Sequence, residues 1–219
     1  MLLKHLSVFI VRIKKYGIFW GLSFYYRRIC QKVFCIIVFG RSDVRIHTDA
    51  RLGGIEHIQI GRGFLSGRGL WLEAITRYSA SGQIFKPKLI IGDRVNVGEY
   101  VHIGCTHRIV IGDDVLMGSK IYITDHNHGV YTGKNADNPA VPPIERYLTE
   151  CESVEIGARC WIGEFVTILP GVTIGDGCVI GSHSTVTHNI PANSIAVGSP
   201  ARVIKVWDEK KCQWVRIEK

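Results

Sequence analysis

The 219-residue sequence lacks features that mark several common classes of protein. Its seven cysteines include no C-x-x-C pair, so the ligand spacing of a zinc ribbon is absent. Its uncharged runs fall well short of the roughly 20 apolar residues that a membrane-spanning helix needs. Proline is scarce at 7 residues, whereas glycine reaches 24. Abundant glycine with little proline favours many tight backbone turns, and therefore a β-rich fold with one main domain.

Acidic residues are missing from the N-terminal segment. Residues 1–41 hold eight Lys and Arg and no Asp or Glu, while the whole chain has 27 basic and 19 acidic residues. The other 19 basic residues balance the 19 acidic ones, so the net charge of +8 belongs to this segment. A protein that binds nucleic acid would carry its cations on the folded platform. The sequence therefore argues against a nucleic-acid partner.

The same segment has the pattern of an amphipathic helix. Apolar residues recur at spacings of three and four, at Leu2, Leu6, Phe9, Ile13, Tyr16 and Trp20. Aromatic and cationic residues follow up to Arg41, a mixture that suits a lipid headgroup interface. We expect residues 1–45 to form a helical arm that packs on the protein's own core, on a neighbouring subunit or on the inner leaflet. Since no secretory signal of the usual form is present, we expect a cytoplasmic protein with peripheral membrane contact.

A six-residue period dominates the sequence from Ile58 onward. Its longest run has an aliphatic residue at every sixth position, namely Ile156, Ile162, Ile168, Ile174, Ile180 and Val186. Earlier runs beginning at Ile91 and Ile111 are separated by a slip of two residues across 106–110. Short flat strands joined by tight turns fit this period, whereas an α-helix does not. Three hexads make a coil of about 18 residues, so Ile156 is expected to stack on Ile174.

The period breaks between His128 and Glu152. A solenoid carries such inserts outside its coils, often over a functional face. We therefore expect residues 129–152 to form a protruding loop on a repeat domain of residues 46–206, followed by a C-terminal tail of residues 207–219.

The repeats resemble those of the hexapeptide-repeat acyltransferases, in the branch of the maltose, galactoside and xenobiotic O-acetyltransferases. The residues that carry the resemblance are Trp161-Ile162-Gly163-Glu164 and the closing Gly198-Ser199-Pro200-Ala201-Arg202. Within that branch the chain is most similar to polysaccharide O-acetyltransferases of colanic acid, O-antigen and capsule. The resemblance implies an all-β solenoid, a left-handed parallel β-helix that forms a homotrimer. It further implies acetyl transfer from acetyl-CoA to a sugar or lipid-linked saccharide in the biosynthesis of cell-surface polysaccharide.

Acetyl transfer to a hydroxyl needs a general base, and histidine titrates in the useful pH range. His128 matches the position of the family's catalytic histidine, so the sequence favours it, and His126 is the competing candidate. Asp125 and Asn96 are the candidates to hold the second ring nitrogen of the base. Asn96 also lies near a family position that binds the acceptor or stabilises the oxyanion, although a turn asparagine would look the same.

The resemblance also implies a coenzyme A groove between neighbouring subunits. The matching positions are Trp161, Gly163, Ser182, Thr187, His188, Arg202 and Lys205. Arg202 and Lys205 would bind the nucleotide phosphates. His188 stands where the family usually has lysine, which puts one phosphate contact in doubt.

Three other functions stay open on the sequence alone. The chain could be an N-acetyltransferase for a nucleotide-linked amino sugar, or a scaffold without catalysis. It could also resemble the trimeric zinc carbonic anhydrases that share this fold. No three histidines assemble into a clear ligand set, so we expect no metal.

Overall fold

The computed structural model describes residues 11, 13, 15, 17–149 and 152–217. Within these residues a helix, α1 (Ile18–Phe39), precedes the sheets, and Ile55–His57 and Pro143–Glu145 form short 3-10 turns. The strands in chain order are β1 (Arg51–Gly53), β2 (Ile58–Ile60), β3 (Leu65–Ser66), β4 (Trp71–Ala74), β5 (Arg77–Tyr78), β6 (Gln83–Ile84), β7 (Lys88–Ile91), β8 (Asn96–Val97), β9 (His102–Cys105), β10 (Arg108–Ile111), β11 (Leu116–Met117), β12 (Tyr122–Thr124), β13 (Val154–Ile156), β14 (Trp161–Ile162), β15 (Thr167–Ile168), β16 (Thr173–Ile174), β17 (Val179–Ile180), β18 (Thr185–Val186), β19 (Ser194–Val197), β20 (Arg202–Asp208) and β21 (Gln213–Arg216).

These strands form three long sheets and one hairpin. Sheet 1 has the order β1-β4-β9-β12-β15-β18, and sheet 2 has the order β16-β13-β10-β7-β2. Sheet 3 has the order β21-β20-β19-β17-β14-β11-β8-β3, and β5 pairs with β6 alone. Apart from that hairpin, the chain from β1 to β18 enters sheets 1, 2 and 3 in rotation. Each strand pairs in parallel with the strand one coil earlier, which is the three-sided coil that the six-residue period predicts.

The core is a column of aliphatic side chains inside the coils. Ile156 pairs with Ile174 as predicted, and both are about fully buried. Cys160 and Cys178 lie in the same column as small core residues, with exposures of 1% and 0%. Burying one Ile or Val side chain contributes roughly 1.5–3 kcal/mol, so the column supplies most of the stabilisation of the fold.

The lengths of the coils can be followed through an equivalent hydrogen bond at one corner. In a late coil the amide of Ala158 donates to Asp176, 18 residues further along the chain. The corresponding bond from Asp93 to Asp113 spans 20 residues, which accounts for the predicted slip of two. The bond from Arg62 to Asp93 spans 31 residues, because the β5–β6 hairpin is inserted there.

Three successive coils carry an insertion at the corner between sheet 1 and sheet 2. The hairpin lies between β4 and β7, the slip lies between β9 and β10, and the long loop lies between β12 and β13. The long loop leaves the coils after Thr124 and rejoins them at Val154, whereas the sequence predicted an excursion over residues 129–152. The hairpin was not predicted from the sequence. The hairpin and the long loop therefore form two walls on either side of the slip at residues 106–110, which we call the middle corner.

The chain ends add to this body. Cys35 is fully buried, Phe34 and Phe39 pack against the core, and α1 ends at Gly40 in a left-handed conformation with φ of 65°. The predicted apolar stripe over residues 2–16 falls largely outside the described residues. After β19 the chain extends sheet 3 through β20, which is antiparallel to β19, and β21, which is antiparallel to β20. β20 therefore crosses the predicted tail boundary between residues 206 and 207. The division into arm, domain and tail stays a prediction.

Candidate active site

A cavity of about 470 Å³ lies between the hairpin and the long loop. Its lining includes the two candidate histidines of the sequence and several side chains that the sequence analysis did not select. The lining residues include Glu73, Tyr78, His102, Gly104, Tyr122, His126 and His128. This convergence of titratable groups in a cleft is typical of a catalytic site.

His126 is buried at the base of the cavity, with 8% of its surface exposed. Its Nδ1 lies 3.1 Å from Oδ1 of Asp125 and 3.2 Å from Oγ1 of Thr124. Since an ionised carboxylate can only accept hydrogen bonds, Nδ1 carries the proton and donates it to Asp125. The Nε2 lone pair of His126 is then the proton acceptor of the ring.

Asp125 also organises the middle corner below His126. Its Oδ1 accepts hydrogen bonds from N and Oγ1 of Thr106, at 2.8 and 2.9 Å. Its Oδ2 accepts from the amides of His107 and Arg108, at 2.8 and 2.9 Å. Burial by itself would raise the pKa of Asp125, but the hydrogen bonds from His126, Thr106 and His107 outweigh it and lower the pKa. The carboxylate is therefore ionised at neutral pH.

His128 lies at the rim of the cavity and is exposed. Its Nδ1 is 3.3 Å from the hydroxyl oxygen of Tyr78, and that hydroxyl donates to the carbonyl of Ile144 at 2.6 Å. The hairpin and the long loop are thus joined through Tyr78. Asp125, which the sequence offered as a partner for either histidine, contacts His126, whereas the ring partner of His128 is Tyr78.

His102 is held in an aromatic ladder on the outward face of sheet 1. Its ring stacks on Trp71 with centroids 4.0 Å apart and planes at 10°, and Tyr122 lies 5.1 Å away on the other side. Burial, and then the charge of nearby His126, lower the pKa of His102, so its ring is neutral at pH 7. Its Nε2 is buried and has no hydrogen-bond partner among the described residues.

Gly104 forms the floor between these histidines. A Cβ placed at Gly104 would lie 3.4 Å from Cε1 of His126 and 3.9 Å from Nε2 of His102. The space above Gly104, on the outward side of sheet 1, is therefore bordered by the rings of His126 and His102. Glu73, which pairs with Gly104 across the sheet, brings Oε2 to 3.8 Å from Nε2 of His102.

The remaining predicted site residues lie elsewhere in the chain. Asn96 is exposed on β8 of sheet 3, in register with Leu116 and Trp161, and is outside the histidine cavity within the described residues. Gly163 follows Trp161 in this sheet, and a Cβ there would lie 2.6 Å from the amide of Ser182. These residues form one group on sheet 3.

A second group lies at the corner after β18. His188 and Arg202 line a cavity of about 280 Å³, and Thr187 donates or accepts a bond of 2.7 Å with Nδ1 of His188. Lys205 is half-buried on β20, outside the lining of that cavity. The seven positions matched to coenzyme A therefore occupy two faces of one chain.

No cluster of three or more His, Cys, Asp or Glu side chains among the described residues has the arrangement of a metal site. None of the helices in this part of the chain combines the length and the apolar content needed to cross a bilayer.

Five cavity residues were missed by the sequence analysis as members of this site, namely Glu73, Tyr78, His102, Gly104 and Tyr122. Tyr78 sits in the gap where the six-residue period fails between Ala74 and Leu89, and that gap was the available signal. Glu73 and His102 occupy ordinary outward positions of their strands, so the sequence contains no comparable signal for them.

Comparison with known proteins identifies relatives of the chain. The family described as bacterial transferase hexapeptide (six repeats) matches residues 153–188. The putative lipopolysaccharide biosynthesis O-acetyl transferase WbbJ of Escherichia coli is 40% identical over 190 residues, which cover 85% of this chain and 91% of the relative. The galactoside O-acetyltransferase of Escherichia coli is 35% identical over 122 residues, 52% of this chain and 55% of that one, so the match spans about half of its length.

A solved structure has a similar fold. It is a variant of the N-acyltransferase AntD from Bacillus cereus, in complex with dTDP and coenzyme A. The TM-score is 0.60 at 21% identity, with 77% of this chain and 84% of that chain covered.

Proposed function

This chain belongs to the hexapeptide-repeat acetyltransferases and is an acetyl-transferring enzyme, and from that premise we propose that it transfers acetyl from acetyl-CoA to a sugar hydroxyl. The acceptor is a sugar or lipid-linked saccharide of a cell-surface polysaccharide. The proposal is supported by the relative WbbJ, which is described as acting in lipopolysaccharide biosynthesis. The left hand of the coil, expected from the family, is part of the same proposal.

The observation that carries the proposal is the Asp125–His126 pair at the base of the cavity. Nε2 of His126 takes the proton of the acceptor hydroxyl while that oxygen attacks the thioester carbonyl. The tetrahedral intermediate then collapses to the acetyl ester, and the proton on His126 passes to the departing thiolate of coenzyme A. Asp125 holds the ring in the required tautomer and stabilises the imidazolium.

The geometry favours His126 over His128, which the sequence favoured. The partner of His126 is a buried carboxylate, whereas the partner of His128 is the neutral hydroxyl of Tyr78. An anionic partner stabilises a protonated ring more strongly than a phenol does. The two histidines can be separated by the kinetics described in the Discussion.

A homotrimer with acetyl-CoA bound between subunits completes the proposal. In one chain, Asn96 and Trp161 lie on sheet 3 while the histidines lie at the corner of sheets 1 and 2. A neighbouring subunit could bring its sheet 3 against this corner, so that residues of both chains meet. Arg202 and Lys205 supply positive charge for the nucleotide phosphates.

We also propose that α1 binds the inner leaflet. Its outward residues Phe19, Leu22, Tyr26, Ile29, Val33 and Ile36 follow a spacing of three and four, and all are exposed. Arg27, Arg28 and Lys32 lie beside them, and the segment contains no acid up to residue 42. An exposed apolar stripe flanked only by cations complements an anionic lipid surface.

The test is thiol release from acetyl-CoA with a panel of p-nitrophenyl glycosides of galactose, glucose, N-acetylglucosamine and rhamnose, and with undecaprenyl-linked saccharides. Mass spectrometry of the product should show one added acetyl group, and hydroxylamine should remove it, as it does an ester and not an amide. A product stable to hydroxylamine, formed only from amino sugars, would favour the N-acetyltransferase alternative. No release with any acceptor would contradict the proposal.

A further inference from the structure

Glu73 and His102 face the histidine cavity but have no task in the proton transfer described above. Both side chains are only partly exposed, at 39% for Glu73 and 29% for His102. They lie on neighbouring strands of sheet 1, and both line the cavity that contains His126. Because they lie beside the proposed base, Glu73 and His102 are placed to contact the acceptor near its reacting hydroxyl.

The distance between these two residues leaves room for one oxygen atom. Oε2 of Glu73 and Nε2 of His102 are 3.8 Å apart, which is too long for a hydrogen bond. A hydroxyl oxygen can stand about 2.8 Å from each atom at once. It would donate to the carboxylate and accept from Nε2–H of the neutral ring.

His102 is ready to make such a bond. Its Nε2 is buried without a partner among the described residues, and an unpaired buried polar group costs about 1–3 kcal/mol. The stack between Trp71 and Tyr122 fixes the ring, so the nitrogen keeps its direction when a ligand arrives. The arrangement is organised before binding.

The floor at Gly104 connects this pair to the base. Because a Cβ at Gly104 would contact Cε1 of His126 and approach Nε2 of His102, the two rings border the same small space. One pyranose ring above Gly104 can place one hydroxyl at His126 and the next hydroxyl at the Glu73–His102 pair.

We propose that Glu73 and His102 bind the hydroxyl adjacent to the one that receives the acetyl group, so that the enzyme selects acceptors with two neighbouring hydroxyls. This subsite rests on the proposed function. It deepens that function by naming a specificity determinant, since a site built to bond a hydroxyl rejects the analogue that lacks it.

The experiment uses the full-length enzyme and the glycoside of the panel above that gives the fastest thiol release, with its monodeoxy analogues. The variants are Glu73→Gln and His102→Phe. The second substitution keeps a flat ring between Trp71 and Tyr122. The matched control is His57→Phe, because the His57 side chain is 33% exposed and lies outside the lining of the histidine cavity. The molar mass of each variant in solution is also measured by light scattering.

In the wild type, removal of one specific hydroxyl should lower kcat/KM by about 10-fold or more, the effect of a hydrogen bond to a charged group. In both variants the acceptor KM should rise. The deoxy and parent acceptors should differ by less than about twofold in His102→Phe, and by only about threefold in Glu73→Gln, whose amide oxygen still accepts a neutral hydrogen bond. The KM for acetyl-CoA should stay within about twofold, and His57→Phe should behave as the wild type.

Unchanged discrimination in both variants would overturn the subsite and leave the acetyltransferase standing. A changed molar mass of the variants in solution would also overturn it, because Glu73 and His102 would then lie at a contact between two copies of the chain. If His102→Phe does not fold, Glu73→Gln alone decides, since its side chain lies outside the core. No thiol release in the wild type would overturn the proposed function, and the subsite with it.

Discussion

Replacing Asp125 by asparagine tests whether this carboxylate holds both the middle corner and the catalytic ring. Its Oδ2 accepts the amides of His107 and Arg108, and its Oδ1 accepts three further bonds from Thr106 and His126. An amide nitrogen cannot accept, so in either orientation at least two donors lose their partner. Each lost bond to a charged acceptor costs about 1.5–3 kcal/mol, so the loss of two should lower the free energy of unfolding by about 3–6 kcal/mol. The melting midpoint should fall by roughly 10 °C.

The pH dependence of this loss has a definite sign. The pKa of Asp125 is lowered in the folded protein, so its contribution is fully present above the unfolded pKa of about 3.9 and disappears as pH falls through the folded value. The difference in midpoint between wild type and Asp125→Asn should therefore be constant from neutral pH down to about pH 5 and should narrow below about pH 4.

The measurement is thermal melting by circular dichroism at one fixed protein concentration, since assembly makes the midpoint depend on concentration. Asp176→Asn is the control, because this carboxylate also accepts a backbone amide but its side chain is 53% exposed. It should lose less than about 1 kcal/mol. A loss that small for Asp125→Asn at pH 7, or a difference that does not narrow in acid, would refute the reasoning.

Three further predictions concern the base, the floor and the helix. His126→Ala should lower kcat about 10²–10⁴-fold in initial-rate assays and His128→Ala less than about tenfold, and the reverse order would return the role of base to His128. Gly104→Ala should leave both rings in place, because its methyl group would lie 3.4 Å from Cε1 of His126, but it should occupy the floor under the acceptor and lower kcat/KM about tenfold with little change in the melting midpoint, whereas an unchanged kcat/KM would contradict the proposed floor. The double variant Phe19→Ser, Ile29→Ser should sediment at least about 10-fold less with phosphatidylglycerol vesicles than the wild type, with phosphatidylcholine vesicles as the control. Equal sedimentation of the two proteins would argue against lipid binding.

The coils could be predicted from the sequence because their signal is local and repeated. Ile156 and Ile174 occupy equal positions in two hexads, and the stack brings them together without any information from distant segments. The slip near Thr106 was also visible as a change in the phase of the period. Each of these inferences needs only the spacing of aliphatic residues along the chain.

The contacts of the site could not be predicted in the same way. Whether Asp125 serves His126 or His128 depends on the path of the chain after Thr124, where it leaves the regular coil. The hydrogen bond from Tyr78 in the hairpin to Ile144 in the long loop joins residues that are 66 positions apart. Neither insertion follows the six-residue period. The sequence identified both histidines, but their partners come from the irregular corner.

The insertions at the shared corner give this architecture an unusual freedom to diverge. Each one leaves the end of one strand and rejoins the start of the next, so the column of Ile and Val inside needs no adjustment when an insertion changes length. The entropy of closing a loop grows only slowly with the number of residues, so a longer wall adds little cost. Mutation and recombination can therefore reshape the walls of the cavity by exchanging residues 75–87 or 129–152, while Asp125 and His126 at the start of the long loop stay bonded to Thr106 and Thr124.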